Sequence, residues 1–277
     1  MRQKLGQHFL KNKEVLENIA DSLELKKGDV VIEIGPGHGE LTQYLLNAGV
    51  TIIAIEKDES MVEYLCNKFE ARSTKLETST KSKIQNNELN LINGDALKIL
   101  PVLNTVYDIR HTKYKIVGNI PYYITGHLLR IISELKNKPK LTVLLIQKEV
   151  AQRICAKSPQ MNLLSASVQF WAEPKIIQNV TRGNFNPPPD VDSAIVLLKT
   201  KSLINTDKNN TRIDTDIYYG FIRKIFKQPR KTVLNNLISG GYKKDEVLGW
   251  FKNNKIKENC RPQDFDVNML IKMALEL

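Results

Sequence analysis

The stretch VIEIGPGHGELT, residues 31–42, joins an apolar run to a helical pattern through three glycines. Val31–Ile34 has the composition of a buried strand, and Leu41–Leu46 has the apolar spacing of a helix. Glycine lets the backbone turn sharply between the two and approach a ligand closely. We therefore predict the first βα unit of an open parallel sheet, with a ligand site at its turn.

Apolar runs typical of strands alternate with helical patterns through the first two hundred residues. The further runs lie at 50–55, 89–92, 114–117, 141–146 and 193–198. Strands separated by helices predict an α/β fold, with a Rossmann-like sheet and helices on both faces. The polar stretch 71–87 is rich in serine and threonine and is interpreted as an exposed connection.

A second polar stretch, 201–216, separates this region from a segment that contains only helical patterns. These patterns lie at 217–226, 230–238, 245–251 and 267–275. Asp264 is interpreted as a helix start and the pair Gly240-Gly241 as a helix stop. We predict two domains, a sheet domain over residues 1–200 and a small all-helical domain over residues 201–277.

The positive charge is concentrated in the second of these domains. The chain has 41 Lys and Arg against 30 Asp and Glu, a net charge of +11. From Lys199 to Leu277 there are 16 Lys and Arg against 9 Asp and Glu, which leaves +7 in this part. Clustered cations favour a polyanionic partner, because neutralised phosphates release counterions. Surplus lysine for solubility explains the charge equally well, so charge alone leaves both interpretations open.

Several classes of protein are disfavoured by composition. The longest apolar stretches, such as Leu141–Ile146, are far shorter than the roughly 20 residues of a membrane helix. The charged N-terminal residues have no continuous apolar stretch like that of a secretory signal, so we do not expect one there. Cys66, Cys155 and Cys260 lie far apart and form no CxxC pair, which disfavours disulfides and a metal site. We expect a cytoplasmic protein without a bound metal.

The glycine turn differs from a dinucleotide-binding loop. Its spacing is GxGxG from Gly35, and Glu40 stands where the dinucleotide motif requires glycine or alanine. Glu56 ends the second strand, 21 residues after Gly35, where a carboxylate can accept hydrogen bonds from ribose hydroxyls. Asp95 and Ala96 follow the third strand and place another acid on the same edge.

A glycine turn and two acids suit a nucleoside without phosphates, which indicates S-adenosylmethionine. The adenine amine would donate to Asp95, and the methionine part would lie over Gly35 and Gly37. Taken singly, a glycine turn is more often structural, and acids at strand ends often cap helices. Their order and βαβ spacing favour the cofactor.

The stretch GNIPYYIT, residues 118–125, ends the next strand on the same edge. An exocyclic purine amine is a poor nucleophile, and two acceptors aimed at its hydrogens would favour attack. The side-chain oxygen of Asn119 and the carbonyl of Ile120 are candidates, with Pro121 fixing the turn. Tyr122 would stack on a base taken out of its helix or loop. Taken alone, this motif is better explained by a structural turn, but its place after the glycine turn and two acidic strand ends favours the role in binding the base.

With these motifs, the sequence closely resembles the ribosomal RNA adenine dimethyltransferases, which dimethylate two adjacent adenines near the 3′ end of small-subunit rRNA. The resemblance covers nearly the whole chain. It is carried by residues 5–10, 33–39, 56, 94–96, 119–122, 147–151, 185–193, 226–231 and 234–237. Tyr123 stands where the family usually has asparagine, and Pro229 interrupts a usually continuous basic run.

The resemblance implies a site and a partner. Cofactor contacts fall on His8, Leu10, Gly35, Glu56, Asp95 and Asn119. The target base would be held between Tyr122 and Phe185, for which core packing is the alternative. The resemblance further implies that residues 1–200 catalyse methyl transfer and residues 201–277 recognise rRNA, acting as a monomer on a partly assembled small subunit.

Three other functions share part of this pattern. Enzymes that methylate an adenine of large-subunit rRNA share the cofactor loop and the Asn-Ile-Pro-Tyr motif, but 147–151 and 187–193 are more similar to the small-subunit group. A non-catalytic RNA-binding assembly factor would not require Glu56, Asp95 and Asn119. DNA adenine methyltransferases normally begin the motif with aspartate instead of Asn119.

Overall fold

The computed structural model describes residues 8–74, 89–106, 114–201 and 214–277. Residues 5–7 of the N-terminal motif, residues 75–87 of the predicted polar connection and most of the polar stretch 201–216 lie outside these ranges. Within them, no helix has both the length and the apolar content needed to span a membrane.

Ten strands and eleven α-helices are present in the described ranges. The strands are β1 (Phe9–Leu10), β2 (Val30–Ile34), β3 (Thr51–Glu56), β4 (Arg72–Thr74), β5 (Leu89–Asn93), β6 (Lys115–Asn119), β7 (Leu141–Gln147), β8 (Ala172–Val180), β9 (Phe185–Asn186) and β10 (Ser193–Thr200). The helices are α1 (Lys13–Ser22), α2 (Glu40–Asn47), α3 (Glu59–Phe69), α4 (Ala96–Val106), α5 (Thr125–Glu134), α6 (Lys148–Cys155), α7 (Leu163–Trp171), α8 (Thr215–Ile225), α9 (Val233–Ser239), α10 (Lys244–Asn253) and α11 (Val267–Glu276).

The main sheet has eight strands in the order β4-β5-β3-β2-β6-β7-β10-β8. Strands β2 to β7 pair in parallel, whereas β10 runs antiparallel to β7. The chain therefore extends from β2 first toward β3 and β5, and later returns to its other side as β6. Such a reversal leaves a crevice at the carboxyl ends of the strands, which is where open α/β sheets bind ligands. The predicted Rossmann-like sheet with helices on both faces is confirmed.

A small second sheet pairs β1 with β9 in antiparallel register, with Leu10 opposite Phe185. The pairing is extended by the amide of Lys11, which donates to the carbonyl of Asn184 at 2.9 Å. The side chains of Asn12 and Asn184 add a hydrogen bond of 2.7 Å. These contacts fasten the N-terminal segment to the loop before β10, a pairing that the sequence did not predict.

The packing divides the chain into two compact units. One comprises Met1–Ala151 and Pro174–Thr200, and the other comprises Gln152–Glu173 and Lys201–Leu277. The sequence predicted a single boundary after residue 200. The structure adds Gln152–Glu173, which includes the second half of α6 and all of α7, to the helical unit.

Aromatic packing explains why α7 belongs with the later helices. The ring of Phe170 stacks on that of Tyr218, with centroids 4.2 Å apart, and the Tyr218 hydroxyl donates to the carbonyl of Ala166 at 3.1 Å. Tyr218 is fully buried, so its ring replaces contacts with water by contacts with α7. A pattern of apolar spacing within one helix contains no information about such a partner.

Two helix boundaries differ from their predictions. The helix predicted from Arg230 begins at Val233, because the Thr232 hydroxyl accepts the Asn235 amide hydrogen and caps the helix there. The start predicted at Asp264 lies at Asp266, whose carboxylate accepts the Met269 amide hydrogen at 2.8 Å. The stop at Gly240 is confirmed.

Candidate active site

Residues at the carboxyl ends of β2, β3, β6 and β7 line a cavity of about 840 Å³ in the sheet unit. Its volume is within the range of small-molecule sites, about 300–1,000 Å³. Ten of the twelve predicted site residues line it: His8, Leu10, Gly35, Gly37, Glu56, Asn119, Ile120, Pro121, Tyr122 and Phe185. Asp95 and Ala96 are not among the lining residues.

The glycine turn after β2 requires glycine at two positions of the cavity wall. Gly35 and Gly37 have φ angles of +68° and +56°, in the left-handed region that disfavours other residues. A side chain at Gly37 would also place its Cβ 3.0 Å from the ring of Phe9. The turn is held to the sheet because the Gly35 amide donates to the carbonyl of Ile55 at 2.9 Å.

Glu56 ends β3 and is fixed before any ligand arrives. Its side chain is buried, and its two oxygens accept the amide hydrogens of Asp58 at 2.9 Å and Gly37 at 3.4 Å. Each carboxylate oxygen has two acceptor sites, so one on each oxygen remains for a ligand hydroxyl. The orientation of Glu56 therefore suits the ribose contact predicted for it.

Asp95 has the helix-capping contact that the sequence had left as an alternative. One carboxylate oxygen accepts the Leu97 amide hydrogen at 3.0 Å in the first turn of α4, and the other lies 3.4 Å from the ammonium of Lys57. Ala96 is buried as the first residue of that helix. The contact of Asp95 with an adenine amine remains a prediction.

Asn119, at the end of β6, is oriented by the N-terminal segment. Its side-chain amide donates to the carbonyl of His8 at 2.9 Å. The amide oxygen points away from that bond by its own geometry and is the group predicted to accept from a substrate amine. The His8 ring in turn donates from Nδ1 to the carbonyl of Pro187 at 3.0 Å. His8 therefore links Asn119 to the loop before β10.

The two aromatic side chains predicted to hold the target base lie in the cavity wall and are held by different means. The hydroxyl groups of Tyr122 and Ser193 form a hydrogen bond of 3.0 Å. The Tyr122 ring is stacked on the His8 ring, with centroids 6.3 Å apart. Burial raises the pKa of the Tyr122 phenol, so the ring remains neutral. Phe185 is buried and packs in the hydrophobic core with Leu10. It therefore has the core contacts expected of an ordinary phenylalanine and also faces the cavity.

Ile120 and Pro121 set the shape of the turn between these groups. The Ile120 amide donates to the carbonyl of Leu145 in β7 at 3.1 Å, and the Ile120 side chain is buried. The carbonyl of Pro121 accepts the Ile124 amide hydrogen at 3.1 Å and closes a short 3-10 helix, Tyr122–Ile124. The backbone beside Asn119 is therefore rigid.

Glu33 is a site residue to which the sequence assigned no role. Its side chain is buried in β2, lines the cavity and accepts a hydrogen bond of 2.8 Å from the Thr42 hydroxyl. Burial, together with the nearby charges of Glu40 and Glu56, raises the pKa of Glu33 to about 8. A glutamate within the otherwise apolar strand VVIEI was the available signal, since buried acids are rare away from functional groups.

The charge of the cavity wall contrasts with that of the whole chain. Its ionisable carboxyl groups are those of Glu33, Glu40, Glu56 and Asp190, and no lysine or arginine is found among its described lining residues. Acids without counter-cations favour a positively charged ligand and disfavour a pyrophosphate. S-adenosylmethionine carries a sulfonium and an ammonium, so the residues present fit it. Among the residues that the structure describes, no cluster of three or more acidic, histidine or cysteine side chains is arranged to hold a metal.

The chain matches the profile of the family described as ribosomal RNA adenine dimethylase over residues 1–276. It belongs to the ribosomal RNA adenine dimethylase family. It is accordingly an S-adenosylmethionine-dependent methyltransferase, and the family resemblance read from the motifs is confirmed.

Relatives of this family member match it over nearly its whole length and share a common name. A protein of Dehalococcoides mccartyi (strain CBDB1) named ribosomal RNA small subunit methyltransferase A is 36% identical over 99% of this chain and 88% of its own. Proteins of the same name from Mycoplasma capricolum and Fusobacterium nucleatum are 33% and 30% identical, each over at least 97% of this chain and 94% of its own.

Two solved structures have the same fold as this adenine dimethylase. A dimethyladenosine transferase from Plasmodium falciparum matches with a TM-score of 0.72 at 26% identity, covering 97% of both chains. The 23S rRNA methyltransferase ErmE matches with a TM-score of 0.71 at 19% identity, covering 97% of this chain and 99% of its own. The second likeness supports the fold only.

The helical unit of this dimethylase contains an exposed basic loop, here defined as residues 227–232 between α8 and α9. Lys227, Arg230 and Lys231 are exposed in it. The loop is organised by the fully buried Asn236, whose amide group accepts the Gln228 amide hydrogen at 3.2 Å and donates to the Gln228 carbonyl at 3.0 Å. Pro229 is therefore part of a defined turn that presents the cations to solvent.

Proposed function

We propose that this chain dimethylates the exocyclic amines of two adjacent adenines in the 3′-terminal hairpin loop of small-subunit rRNA, in the cytoplasm and during small-subunit assembly. The family supplies adenine dimethylation, and the full-length relatives named small subunit methyltransferase A support the choice of subunit. We propose that the enzyme acts as a monomer, with residues 1–200 catalytic and residues 201–277 binding rRNA.

The acid-lined cavity that ends at Asn119 is the observation on which the proposal rests. Glu56 would accept the ribose hydroxyls, and the turn at Gly35 and Gly37 would lie beneath the methionine part of the cofactor. Leu10 and His8 would cover it from the N-terminal segment. When bound, S-adenosylmethionine supplies an electrophilic methyl group on a sulfonium that leaves readily.

The protein's task at the target base is to make its amine more nucleophilic. The amine nitrogen of adenine is unreactive because its lone pair is delocalised into the ring. The Asn119 side-chain oxygen and the Ile120 carbonyl would accept its two hydrogens and favour the tetrahedral nitrogen. Both groups are held in advance, Asn119 through the hydrogen bond from its side-chain amide to the His8 carbonyl and Ile120 through the hydrogen bond from its backbone amide to the Leu145 carbonyl. Little reorganisation is then needed during the reaction.

The target base would be held between Tyr122 and Phe185. Tyr122 is fixed by Ser193 and His8, and Phe185 by the core, so neither ring must be ordered by the substrate. Stacking on a preformed aromatic surface compensates part of the energy lost when the base leaves its own stack.

Methyl transfer to rRNA tests this proposal. Enzyme and labelled S-adenosylmethionine are incubated with unmethylated small subunits and, separately, with large-subunit rRNA, and the modified adenines are mapped. We expect dimethyladenine in the 3′-terminal loop of small-subunit rRNA. Label in large-subunit rRNA alone would assign the chain to the large-subunit enzymes, and no label in either would favour a non-catalytic assembly factor.

A further inference from the structure

Tyr123 is an aromatic residue at the cavity mouth that the proposed chemistry leaves unused. Its side chain is 75% exposed, the largest value among the large apolar side chains of the described residues. It nevertheless belongs to the wall of the cavity. Single exposed apolar side chains are ordinary, but a ring exposed in the wall of a ligand cavity is available to stack on a bound molecule.

The backbone that carries Tyr123 is rigid. The residue lies in the 3-10 helix Tyr122–Ile124, which is closed by the hydrogen bond from the Ile124 amide to the Pro121 carbonyl and runs directly into α5. Tyr122, on one side, is fixed by Ser193. The exposed ring is therefore presented from a preorganised position and not from a flexible loop.

A second exposed apolar side chain belongs to the wall of the same cavity. Val191 also lines the cavity, and 43% of its surface is exposed. We call Tyr123 and Val191 the rim pair. The neighbouring acid, Asp190, repels phosphate, and no cation lies among the described lining residues. RNA at this mouth can therefore be held through the faces of its bases but not through its backbone charge.

We propose that the rim pair binds the unpaired base adjacent to the target adenine, with the Tyr123 ring as its stacking surface. This inference rests on the proposed function. When the target base is extruded, its neighbour loses a stacking partner on one face. An exposed tyrosine beside Tyr122 replaces that partner, and every base has a face that it can cover.

The base bound by the rim pair is itself a target of the enzyme. With two adjacent target adenines, the neighbour of the base in the cavity is the other target. Tyr123 then binds one adenine while the other is methylated, and its ring contributes to RNA binding without touching the reacting nitrogen. Tyr123 is accordingly a substrate-binding residue, and its loss should raise KM for RNA while leaving kcat nearly unchanged.

The direct test compares Tyr123→Ala with Tyr123→Phe on unmethylated small subunits. Stacking on one base corresponds to roughly a tenfold change in binding, so Tyr123→Ala should raise KM for the particle about tenfold. Tyr123→Phe retains the ring and should stay within about threefold of the original enzyme. Ile217→Ala, which removes an exposed apolar side chain of the helical unit, is the matched control. Calorimetry with S-adenosylhomocysteine should give the same affinity for all four proteins.

Removal of one base from the rRNA tests which group the Tyr123 ring contacts. Small subunits are reconstituted with rRNA in which one of the two adenines is replaced by an abasic nucleotide, and methylation of the remaining adenine is measured. For the original enzyme, the missing base should raise KM about tenfold, whereas Tyr123→Ala should show little further loss.

These experiments distinguish an error in the inference about the rim pair from an error in the proposed function. If the original enzyme does not methylate small subunits, the proposed function is wrong and the inference falls with it. If the original enzyme is active and Tyr123→Ala has an unchanged KM, only the inference is overturned. Additive losses in the abasic experiment would also overturn it, because the ring would then contact a different group.

Discussion

The cavity of the sheet unit and the basic loop of the helical unit present opposite charges to their ligands. The cavity wall contains acids and no described lysine or arginine, whereas the loop exposes Lys227, Arg230 and Lys231. The cavity is built from buried side chains with fixed hydrogen bonds, and the loop from flexible side chains on a fixed backbone. A single chain with a net charge of +11 can therefore separate a small cation from a polyanion by local charge alone.

The two regions also differ in how they are preorganised. In the cavity, Glu56 and Asn119 are oriented by backbone amides and carbonyls. In the loop, one neutral buried residue, Asn236, holds the backbone, and no buried charge is required. Removal of one group should accordingly affect chemistry strongly in the cavity and affinity only mildly in the loop.

The largest effect is expected for Asn119→Ala. Removing a preorganised group that stabilises developing charge typically lowers kcat about 100-fold or more, and cofactor affinity should change less than about threefold. Single-turnover methyl transfer and calorimetry measure the two quantities. Asn119→Asp, which retains acceptor oxygens but cannot donate to the His8 carbonyl, should lose less. Unchanged turnover in Asn119→Ala would refute the role of the amide.

Glu56→Ala is expected to have the next largest effect, on cofactor binding. A hydrogen bond to a charged group contributes about 1.5–3 kcal/mol, so the Kd for S-adenosylhomocysteine should rise roughly 10- to 100-fold. Asp95→Asn is the comparison of interest, because Asp95 does not line the cavity and caps α4. A smaller loss in Asp95→Asn would support the position of the cavity, and equal losses would place the adenine over Asp95 as predicted from the sequence.

Glu33 predicts a pH dependence of stability. Below the ordinary glutamate pKa of 4.5, folded and unfolded chains both hold the proton, and Glu33 has no effect. As pH rises from there to the folded pKa of about 8, the unfolded chain ionises while the folded chain does not, so the folded state loses stability. Glu33→Gln removes this loss and preserves the acceptor for Thr42.

Thermal unfolding of the cofactor-free protein measures that difference. The Tm advantage of Glu33→Gln over the original protein should grow by about 5 °C between roughly pH 5 and pH 8. Glu40→Gln, at a less buried position of the same wall, should show no comparable trend. An advantage independent of pH would mean that Glu33 is ionised in the folded protein.

The smallest effect is expected in the basic loop. Replacing Arg230 and Lys231 by glutamine should weaken rRNA binding about fivefold near physiological salt and reduce the slope of log K against log salt by about 1.5. Lys243→Gln with Lys244→Gln removes the same charge elsewhere in the helical unit and is the control. A slope unaffected by the loop variant would place the RNA surface elsewhere.

The sequence predicted residues of the cavity wall but not the contacts that join distant parts of the chain. Strand ends and the glycine turn are local features, so Gly35, Glu56 and Asn119 could be placed on one edge from the order of the strands. The carbonyl of His8 that binds Asn119 lies 111 residues away along the chain. The same limitation applies to α7, whose ring contact with Tyr218 assigns it to the helical unit. Neither contact produces a periodic signal.

Asp95 illustrates a different limit. Its position after β5 predicted a cofactor contact, with a helix cap as the alternative, and the structure contains the cap. Glu33 was visible as an acid in an apolar strand, but its protonation depends on burial and on Glu40 and Glu56, which only the folded chain brings together.

The most direct measurement is a salt titration of two affinities in the same preparation, one for S-adenosylhomocysteine and one for small-subunit rRNA. An acid-lined cavity and a separate basic loop predict that cofactor affinity changes less than about threefold between low and physiological salt, while rRNA affinity falls by more than tenfold. A nicotinamide dinucleotide should not compete for the cavity. Competition by the dinucleotide, or a cofactor affinity that falls as steeply as that of rRNA, would contradict the separation of the two sites by charge.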